Sequence, residues 1–456
     1  MHNNGIKSTT LLVTSLSSFL VPFMGSAVNI AIPSIEKEFG LDAVSMNWIA
    51  AAYTLSTAMF LVPFGRVADI CGRKKILLYG LAVFALSSEF SALSNSGAML
   101  IASRIVQGIG NAMMFGTIIA LLTSVFPPEE RGKAIGINTA AVYLGLSLGP
   151  IIGGVLTHNF GWRILFAINV PLCVLLIALA GWKLKGEWAD AMGEKFDWKG
   201  SVLYSISFAC IMFGFSILPS IRGLIAIACG IACIPAFIVL ELRTKSPVLD
   251  IRIFRRNPVF AFSNIASFIH YSASFATGFL LSIYLQKVKG LNAAQAGFVL
   301  VTQPVMMALV SPFAGRLSDR YEPRVISSIG MAITTAGLLP FVYINADTPL
   351  SHITTALVLL GIGIALFSAP NTNAIMSSVN RKCYGIAAAV TSTMRTAGQA
   401  FSMGIAAMVF AIYLDRSKIS MENLPLFIDS LHPMFVVFAV MCFCGIFVSL
   451  ARGRTR

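Results

Sequence analysis

Long apolar runs, separated by short charged or Pro- and Gly-rich breaks, follow one another along the whole chain. A helix needs about 20 apolar residues to cross a bilayer, and these runs are of that length or longer. A membrane β-barrel would instead show segments of about 10 residues that alternate between apolar and polar positions. The pattern therefore predicts fourteen transmembrane helices, at roughly residues 8–33, 46–66, 75–95, 98–126, 133–157, 163–183, 199–218, 222–242, 258–286, 294–315, 324–345, 352–376, 384–413 and 432–451.

The composition indicates an integral membrane protein. Of the 456 residues, 57% are hydrophobic and 11% are charged. Soluble domains carry about 25% charged residues, and a soluble chain of this length would need several polar surfaces. The composition therefore excludes secreted, cytosolic, disordered and coiled-coil proteins.

The basic residues indicate how the chain is oriented. The net charge is +14, and 24 of the 33 Lys and Arg residues lie on the side of the predicted spans that also holds both termini. Cytoplasmic loops carry such an excess, so both termini are predicted to be cytoplasmic and the protein to lie in the cell membrane. The charge is thus a topology signal, and no nucleic-acid partner is expected. The eight cysteines form no CxxC pair, so neither a metal ion nor another cofactor is expected.

The chain contains an internal repeat. Residues 63–75 read PFGRVADICGRKK and residues 312–324 read PFAGRLSDRYEPR, each after the second span of a six-span set. Parallel six-span repeats are a common plan of secondary transporters, with the substrate site near the midplane between them. We therefore predict an N-terminal bundle (1–185), a linker with two extra transmembrane helices (186–250) and a C-terminal bundle (251–456).

An ordered series of motifs resembles the major facilitator superfamily, and within it the fourteen-span drug:proton antiporter branch. GRVADICGRKK (65–75) is similar to the signature between spans 2 and 3, RIVQGIGNA (104–112) to the span 4 signature, and GLSLGPIIGG (145–154) to the span 5 signature. The resemblance implies an all-α fold of two six-helix bundles plus two inserted helices. It also implies a transporter rather than an enzyme.

The loop after span 2 is predicted to be a conformational latch. An acid there can lie against the positive end of a helix, and the neighbouring bases can pair with acids nearby. The alternative is an ordinary cytoplasmic loop with a tight glycine turn. The residues assigned to the latch are Gly65, Asp69, Gly72, Arg73 and, in the second copy, Asp319.

Small residues in span 5 predict close helix packing. Without side chains on one face, two helices can approach closely, and a proline can bend the span. The residues of this motif are Gly145, Gly149, Pro150, Gly153 and Gly154. Only the resemblance to the family links them to exchange rather than to symport.

Polar side chains inside the spans are the candidates for function. Arg104, Gln107 and Asn111 share one helix face, and a charge at that depth should face protein or water. Arg395 lies near the middle of span 13, where either a cavity role or a structural role fits. His270 lies near the middle of span 9 on a polar stripe, and a histidine can change charge near neutral pH.

Two further positions bear on proton coupling. Glu89 is the one carboxylate well inside a span, and it is either a proton carrier or a structural residue near the outer interface. Members of the family with a VNVALP-like run in span 1 usually carry an acid five residues before its Asn. Here the run is VNIAIP, Asn29 is retained, and Met24 stands at the acidic position.

These observations predict a secondary transporter that exports hydrophobic or amphiphilic small molecules by alternating access, driven by protons. The alternative is an exporter of anionic metabolites or lipids without proton coupling. The expected partners are a small-molecule substrate, protons and the lipid bilayer, and the expected state is a monomer. Proton coupling is assigned to His270, Glu89 and Arg104, and substrate binding to Asn29, Tyr53, Arg104, Gln107, Asn111, His270, Gln303 and Arg395.

Overall fold

The computed structural model describes residues 2–249, 251–379, 384–414, 417–420 and 422–453. Within these ranges the chain forms α-helices and one π-helical turn, Tyr284–Val288. The helices are α1 (His2–Phe39), α2 (Ala43–Cys71), α3 (Arg73–Ala92), α4 (Gly97–Val125), α5 (Pro128–Phe160), α6 (Arg163–Ala167), α7 (Asn169–Lys183), α8 (Trp198–Ser216), α9 (Ile221–Arg243), α10 (Arg252–Arg256), α11 (Pro258–Ser274), α12 (Ala276–Ile283), α13 (Ala293–Leu300), α14 (Thr302–Arg320), α15 (Pro323–Val342), α16 (Leu350–Ser377), α17 (Tyr384–Tyr413) and α18 (Leu424–Ala451).

Fourteen segments of the described chain are helical, long and apolar enough to cross a membrane, which confirms the predicted number. Three of these spans combine consecutive helices: α6 with α7, α11 with α12, and α13 with α14. α1 continues to Phe39, beyond the end predicted at residue 33. In these polar last turns Glu36 pairs with Lys287 and Glu38 pairs with Arg163.

Two bundles of six spans each form the body of the molecule. In the first, α1 packs against α5, and α4 packs against α2 and α3. In the second, α15 packs against α16 and α18, and α11 packs against α17 and α18. Phenylalanines such as Phe84 and Phe341 are fully buried between these helices. The architecture is the one predicted from the repeat, whereas the boundaries at residues 185 and 250 stay predictions.

The glycines of α5 lie at two different contacts. A Cβ atom at Gly145, Gly149 or Gly153 would collide with α1, so α1 and α5 can approach only because these side chains are absent. A Cβ atom at Gly154 would instead collide with the backbone at Ala293 of α13. One face of α5 therefore serves the packing inside the first bundle, and Gly154 serves the contact between the bundles.

The two inserted helices, α8 and α9, pack against each other and lie across the junction of the bundles. Tyr204 of α8 donates its hydroxyl hydrogen to the Ala58 carbonyl of α2 at 2.9 Å. Nearer its other end, α8 places Phe215 against Phe401 of α17, with ring centroids 5.5 Å apart. The insert therefore contacts both bundles. It forms a hydrogen bond with α2 of the first bundle and an apolar contact with α17 of the second.

Candidate functional site

A buried arginine organises the polar interior of the first bundle. Arg104 of α4 is 1% exposed, and its Nε donates to the Ile49 carbonyl at 3.0 Å. Its Nη1 donates to Gln107 Oε1, and Gln107 Nε2 donates to Ser88 Oγ at 2.7 Å. The guanidinium also lies 4.2 Å from the ring centroid of Tyr53. The charge thus faces protein, and among the described residues it pairs with no carboxylate.

One turn further along α4, the same face continues with Asn111. Its Nδ2 donates to Thr57 Oγ1 at 3.0 Å, and its Oδ1 has no donor among the described residues. Asn29 lies apart from this cluster, where its backbone carbonyl accepts from Ser282 Oγ at 2.7 Å. The structure therefore brings together four of the predicted residues: Tyr53, Arg104, Gln107 and Asn111.

A second arginine lies at a small cavity in the other bundle. Arg395 of α17 is partly exposed, and its guanidinium carbon lies 6.0 Å from the ring centroid of Phe115, which belongs to α4 of the first bundle. The cavity holds about 30 Å³, and no carboxylate of the described residues lines it. Its other lining residues are Ser267, Tyr271, Phe367, Ser368, Asn371, Thr372 and Thr391.

His270 of α11 adjoins this cavity through Phe367. The imidazole and the Phe367 ring are stacked at a centroid distance of 4.1 Å. The side chain is 0% exposed, and neither ring nitrogen has a hydrogen-bond partner among the described residues. A buried polar group without a partner costs about 1–3 kcal/mol, so the site is held at an energetic cost.

The helix that carries His270 is interrupted nearby, a feature that the sequence did not predict. α11 ends at Ser274 and α12 begins at Ala276, whose backbone N–H donates to Ser402 Oγ of α17 at 3.0 Å. The π-helical turn follows α12. The predicted span over residues 258–286 is thus confirmed as Pro258–Val288, and the break is confined to its hydrogen bonding: Phe275 keeps helical dihedral angles, while a side chain of α17 takes one backbone bond.

Two predicted residues lie away from both clusters. Glu89 is exposed on the surface of α3, close to the end of that helix at Ala92. Gln303 of α14 is partly exposed, and its backbone carbonyl lies against Gly361 of α16. Their assigned roles stay predictions, and the structure does not bring either residue to the guanidinium of Arg104 or to the cavity at Arg395.

A further buried arginine was missed by the sequence analysis, which counted Arg452 only as a base beyond the last span. Arg452 is 1% exposed and donates to Asn371 Oδ1 at 2.7 Å and to Ser263 Oγ at 3.2 Å. Asn371 Nδ2 in turn donates to Ser267 Oγ at 2.8 Å. Burial lowers the pKa of Arg452 to about 10, which leaves the guanidinium charged at neutral pH. The sequence feature that could have indicated this buried site is Asn371, a polar residue inside a predicted span.

Four residues of the predicted latch lie in one cluster at the end of the bundles that holds the termini: Gly65, Asp69, Gly72 and Arg73. Arg73 donates to Asp69 Oδ1 at 2.6 Å and to the hydroxyl of Ser124 in α4. It also pairs with Asp190 Oδ2 at 2.8 Å. Gly65 lies nearby in α2, where its backbone touches Gly116 of α4.

Asp190 belongs to a segment that we call the linker strap, residues 184–197, which joins the first bundle to the insert. Gly72 has φ of +113°, and the Glu187 side chain fills the space where a Cβ atom would stand. Glu187 Oε1 accepts the Lys74 backbone N–H at 2.8 Å. Further on, Glu194 pairs with Arg66 at 2.5 Å. The first copy of the loop is thus covered by an acidic strap. The side chain of Asp319 in the second copy lies outside the described residues.

The pKa of Glu194 illustrates how the linker strap is held. A hydrogen bond from Ser246 and the charge of Arg66 hold the pKa of this carboxyl below its ordinary value. The carboxylate form is therefore favoured by the fold, and the contact weakens as the pH falls into the acid range.

The two bundles meet at the end opposite the termini, which we call the far end. There the Lys287 ammonium pairs with Glu36 Oε2 at 2.5 Å, and Gln286 Nε2 donates to the Ile30 carbonyl at 2.9 Å. Asn47 Nδ2 of α2 donates to the Met403 carbonyl of α17 at 3.1 Å. The contact of Gly154 with α13 lies at the same end. These contacts close the space between the bundles at the far end.

This arrangement, two bundles around a polar interior that is closed at one end, agrees with the comparisons with known proteins. The family model described as the Major Facilitator Superfamily matches residues 14–403. The chain belongs to this superfamily. The two-bundle fold, the fourteen spans and the loop signature are accordingly features of a transporter in a membrane, and the chain crosses that membrane many times.

Curated relatives of this transporter carry different substrates. The riboflavin transporter RibZ of Clostridioides difficile is 28% identical over 97% of each chain. The cephamycin export protein CmcT of Amycolatopsis lactamdurans is 31% identical over 87% of this chain and 84% of its own. A solved bacterial homolog of the human lysosomal transporter Spinster, inward-facing and unoccupied, has a TM-score of 0.69 at 14% identity, with 98% and 97% of the two chains covered. The last likeness shows the fold.

Proposed function

We propose that this transporter exports a hydrophobic or amphiphilic small molecule from the cytoplasm in exchange for protons. The observation that carries the proposal is His270, a fully buried imidazole whose ring nitrogens have no partner among the described residues. Imidazole can change charge near neutral pH, and this ring can exchange a proton only when a change of conformation admits water to the site. Alternating access would supply that change, and the export roles named for relatives such as CmcT support the direction.

In this proposal both termini are cytoplasmic, the protein lies in the cell membrane as a monomer, and the far end faces outward. The substrate enters between the bundles from the cytoplasmic end and reaches Arg395, whose guanidinium lies against Phe115 of the opposite bundle. Arg104 holds the first bundle together behind this path. Glu89 is exposed on α3, so we place proton coupling at His270.

Proteoliposomes with an imposed pH gradient test this function. Riboflavin, a cephamycin and the cationic dye ethidium serve as probes of three chemical types. We expect at least one probe to accumulate against its gradient when protons flow the other way. His270→Ala should abolish accumulation driven by the pH gradient while exchange of internal for external probe continues. Glu89→Gln, on the exposed surface of α3, is the matched control and should leave both processes intact.

The results distinguish a failure of the proton claim from a failure of the assignment of coupling to His270. If the pH gradient has no effect on any transported probe, the proton claim is wrong and transport stands. If His270→Ala keeps full gradient-driven accumulation, the coupling site lies elsewhere. If Glu89→Gln alone removes it, the assignment to His270 is replaced by one to Glu89.

A second candidate function is export of anionic amphiphiles, and the cavity at Arg395 favours it. No described carboxylate lines that cavity, whereas hydroxyl and amide groups surround it, so a substrate carboxylate would find both a counter-charge and hydrogen-bond donors. A volume of about 30 Å³ admits a small head group and leaves the apolar remainder between the bundles. Arg395→Gln should then raise the KM for an anionic probe at least tenfold and leave a neutral probe unchanged. Equal effects on both probes would argue against this candidate.

A further inference from the structure

Two carboxyl groups converge where the inserted helices meet their connections. Asp197, at the end of the linker strap, accepts the Gly200 backbone N–H with Oδ1 at 2.9 Å and so caps α8. Glu241, near the end of α9, accepts the Leu249 backbone N–H with Oε2 at 3.1 Å. The remaining oxygens, Asp197 Oδ2 and Glu241 Oε1, both lie within 2.6 Å of the point where a Cβ atom on Gly200 would stand.

Neither of these two oxygens has a hydrogen-bond donor among the described residues, although both atoms are buried. Glu241 is only 2% exposed, so bulk water does not reach that side chain. Two ionised carboxylates at such a place would repel each other and leave two acceptors unsatisfied. One proton between them removes the repulsion and provides the donor, since a protonated carboxyl group donates to a carboxylate.

The charged groups on the surrounding elements do not compensate the pair. No described base forms a salt bridge with Asp197 or Glu241. Glu194 of the strap pairs with Arg66 of α2. The guanidinium of Arg252, in α10, donates to the Leu242 carbonyl. Three bases lie close to the pair in the sequence, and all three are exposed. They are Lys199 on α8, Arg243 on α9 and Lys245 in the segment after α9.

We propose that Asp197 and Glu241 share one proton and form a titrating junction outside the transport pathway. The junction joins the linker strap, which enters the insert, to the segment around Leu249, which leaves it for the second bundle. The strap is in turn fixed to the first bundle through Asp190 and Arg73. Loss of the shared proton separates the two carboxylates and loosens the insert. The stability of the junction therefore depends on the pH at the end of the bundles that holds the termini.

Thermal unfolding of the purified full chain in detergent, measured from mildly acidic to mildly alkaline pH, tests this junction without reference to transport. The melting temperature of the wild type should fall as the pH rises, because the proton is lost. Glu241→Gln and Asp197→Asn each keep a permanent hydrogen bond between the two side chains, and both should lose this pH dependence. Glu187→Gln is the matched control, because both carboxylate oxygens of Glu187 accept backbone N–H groups, those of Lys74 and Lys75; it should keep the wild-type slope.

Infrared spectroscopy detects the proton shared by Asp197 and Glu241 directly. The wild type should show a carboxylic-acid C=O band that disappears on alkaline titration, and this band should be absent in Glu241→Gln. Unchanged pH slopes in both amide variants, or an unchanged band, would overturn the proposal. So would stabilisation by sodium or magnesium ions that Glu241→Gln abolishes, because the pair would then hold a cation instead of a proton.

Discussion

The ion pair between Glu36 and Lys287 should decide how readily the far end opens. Glu36 lies in the last turns of α1 and Lys287 in the π-helical turn after α12, so the pair joins the two bundles. The Glu36 side chain is 7% exposed and the Lys287 side chain 26% exposed. Any conformation that opens the far end separates these two charges.

The burial of the two side chains sets the expected magnitude. Removing one partner of a fully buried pair costs about 3–5 kcal/mol, largely because the other charge stays buried alone. Lys287 is a quarter exposed and can turn toward water, so we expect Glu36→Gln to cost the closed state about 1–3 kcal/mol. Since 1.4 kcal/mol is a factor of ten, the ratio of open to closed molecules should rise roughly 5- to 150-fold.

Distances between spin labels measure this ratio. One label replaces Asn95, exposed in the connection between α3 and α4, and the other replaces Asp347, exposed between α15 and α16. The native cysteines are removed first. Glu36→Gln should move population toward the longer distance, and Lys287→Gln should have a similar effect. The double variant should exceed neither single variant by much, because both remove the same interaction.

The neighbouring acid Glu38 provides the control. It pairs with Arg163 at 2.7 Å and accepts the Trp162 indole N–H at 2.7 Å, so both of its partners belong to the first bundle. This contact is the same whether the far end is open or closed, and Glu38→Gln should leave the distance distribution unchanged. Equal shifts from Glu36→Gln and Glu38→Gln, or no shift from either, would refute the reasoning.

Three further predictions concern stability and the linker strap. Gly149→Ala should lower stability by about 1–3 kcal/mol in thermal unfolding, because its Cβ would meet α1, whereas Gly181→Ala, with open space around it, should not. Arg452→Ala should lower the melting temperature more than Arg452→Lys, since lysine keeps a donor for Asn371 Oδ1 whereas alanine leaves this buried acceptor without one. The low pKa of Glu194 means that its contact is present at neutral pH and lost as the pH falls. Limited proteolysis of the strap should therefore speed up in acid, and Glu194→Gln should be cleaved rapidly at every pH.

The sequence predicted the helices well because membrane helices must satisfy their own backbone bonds over a fixed thickness. The number of spans, the repeat and the shared face of Arg104 and Gln107 follow from that constraint and from helical periodicity. The break after His270 did not follow from it, because a side chain of another helix, Ser402, takes the backbone bond of Ala276. Periodicity along one helix contains no information about its neighbours.

The charged residues show the same limit more sharply. Arg452 reads as one more base after the last span, yet it is as buried as Arg104, because Asn371 and Ser263 of other helices surround it. Asp197 caps α8 with one carboxylate oxygen, and its second oxygen lies near Glu241 only after the insert has folded. Which charges are solvated and which are buried depends on tertiary contacts, so the sequence predicts where charges occur along the chain and not what each one faces.

The contacts between the bundles explain how a protein held by so many interactions can still change shape. Inside each bundle, glycine contacts and buried side chains interlock along whole helices, as between α1 and α5. Between the bundles at the far end, the polar contacts described above are one ion pair and a few single hydrogen bonds, each worth about 1 kcal/mol net. Opening there replaces these few bonds by bonds to water, separates the packed surfaces of α5 and α13, and leaves both bundle interiors intact. A substrate or a proton can shift this equilibrium by as much as its affinities for the open and the closed state differ.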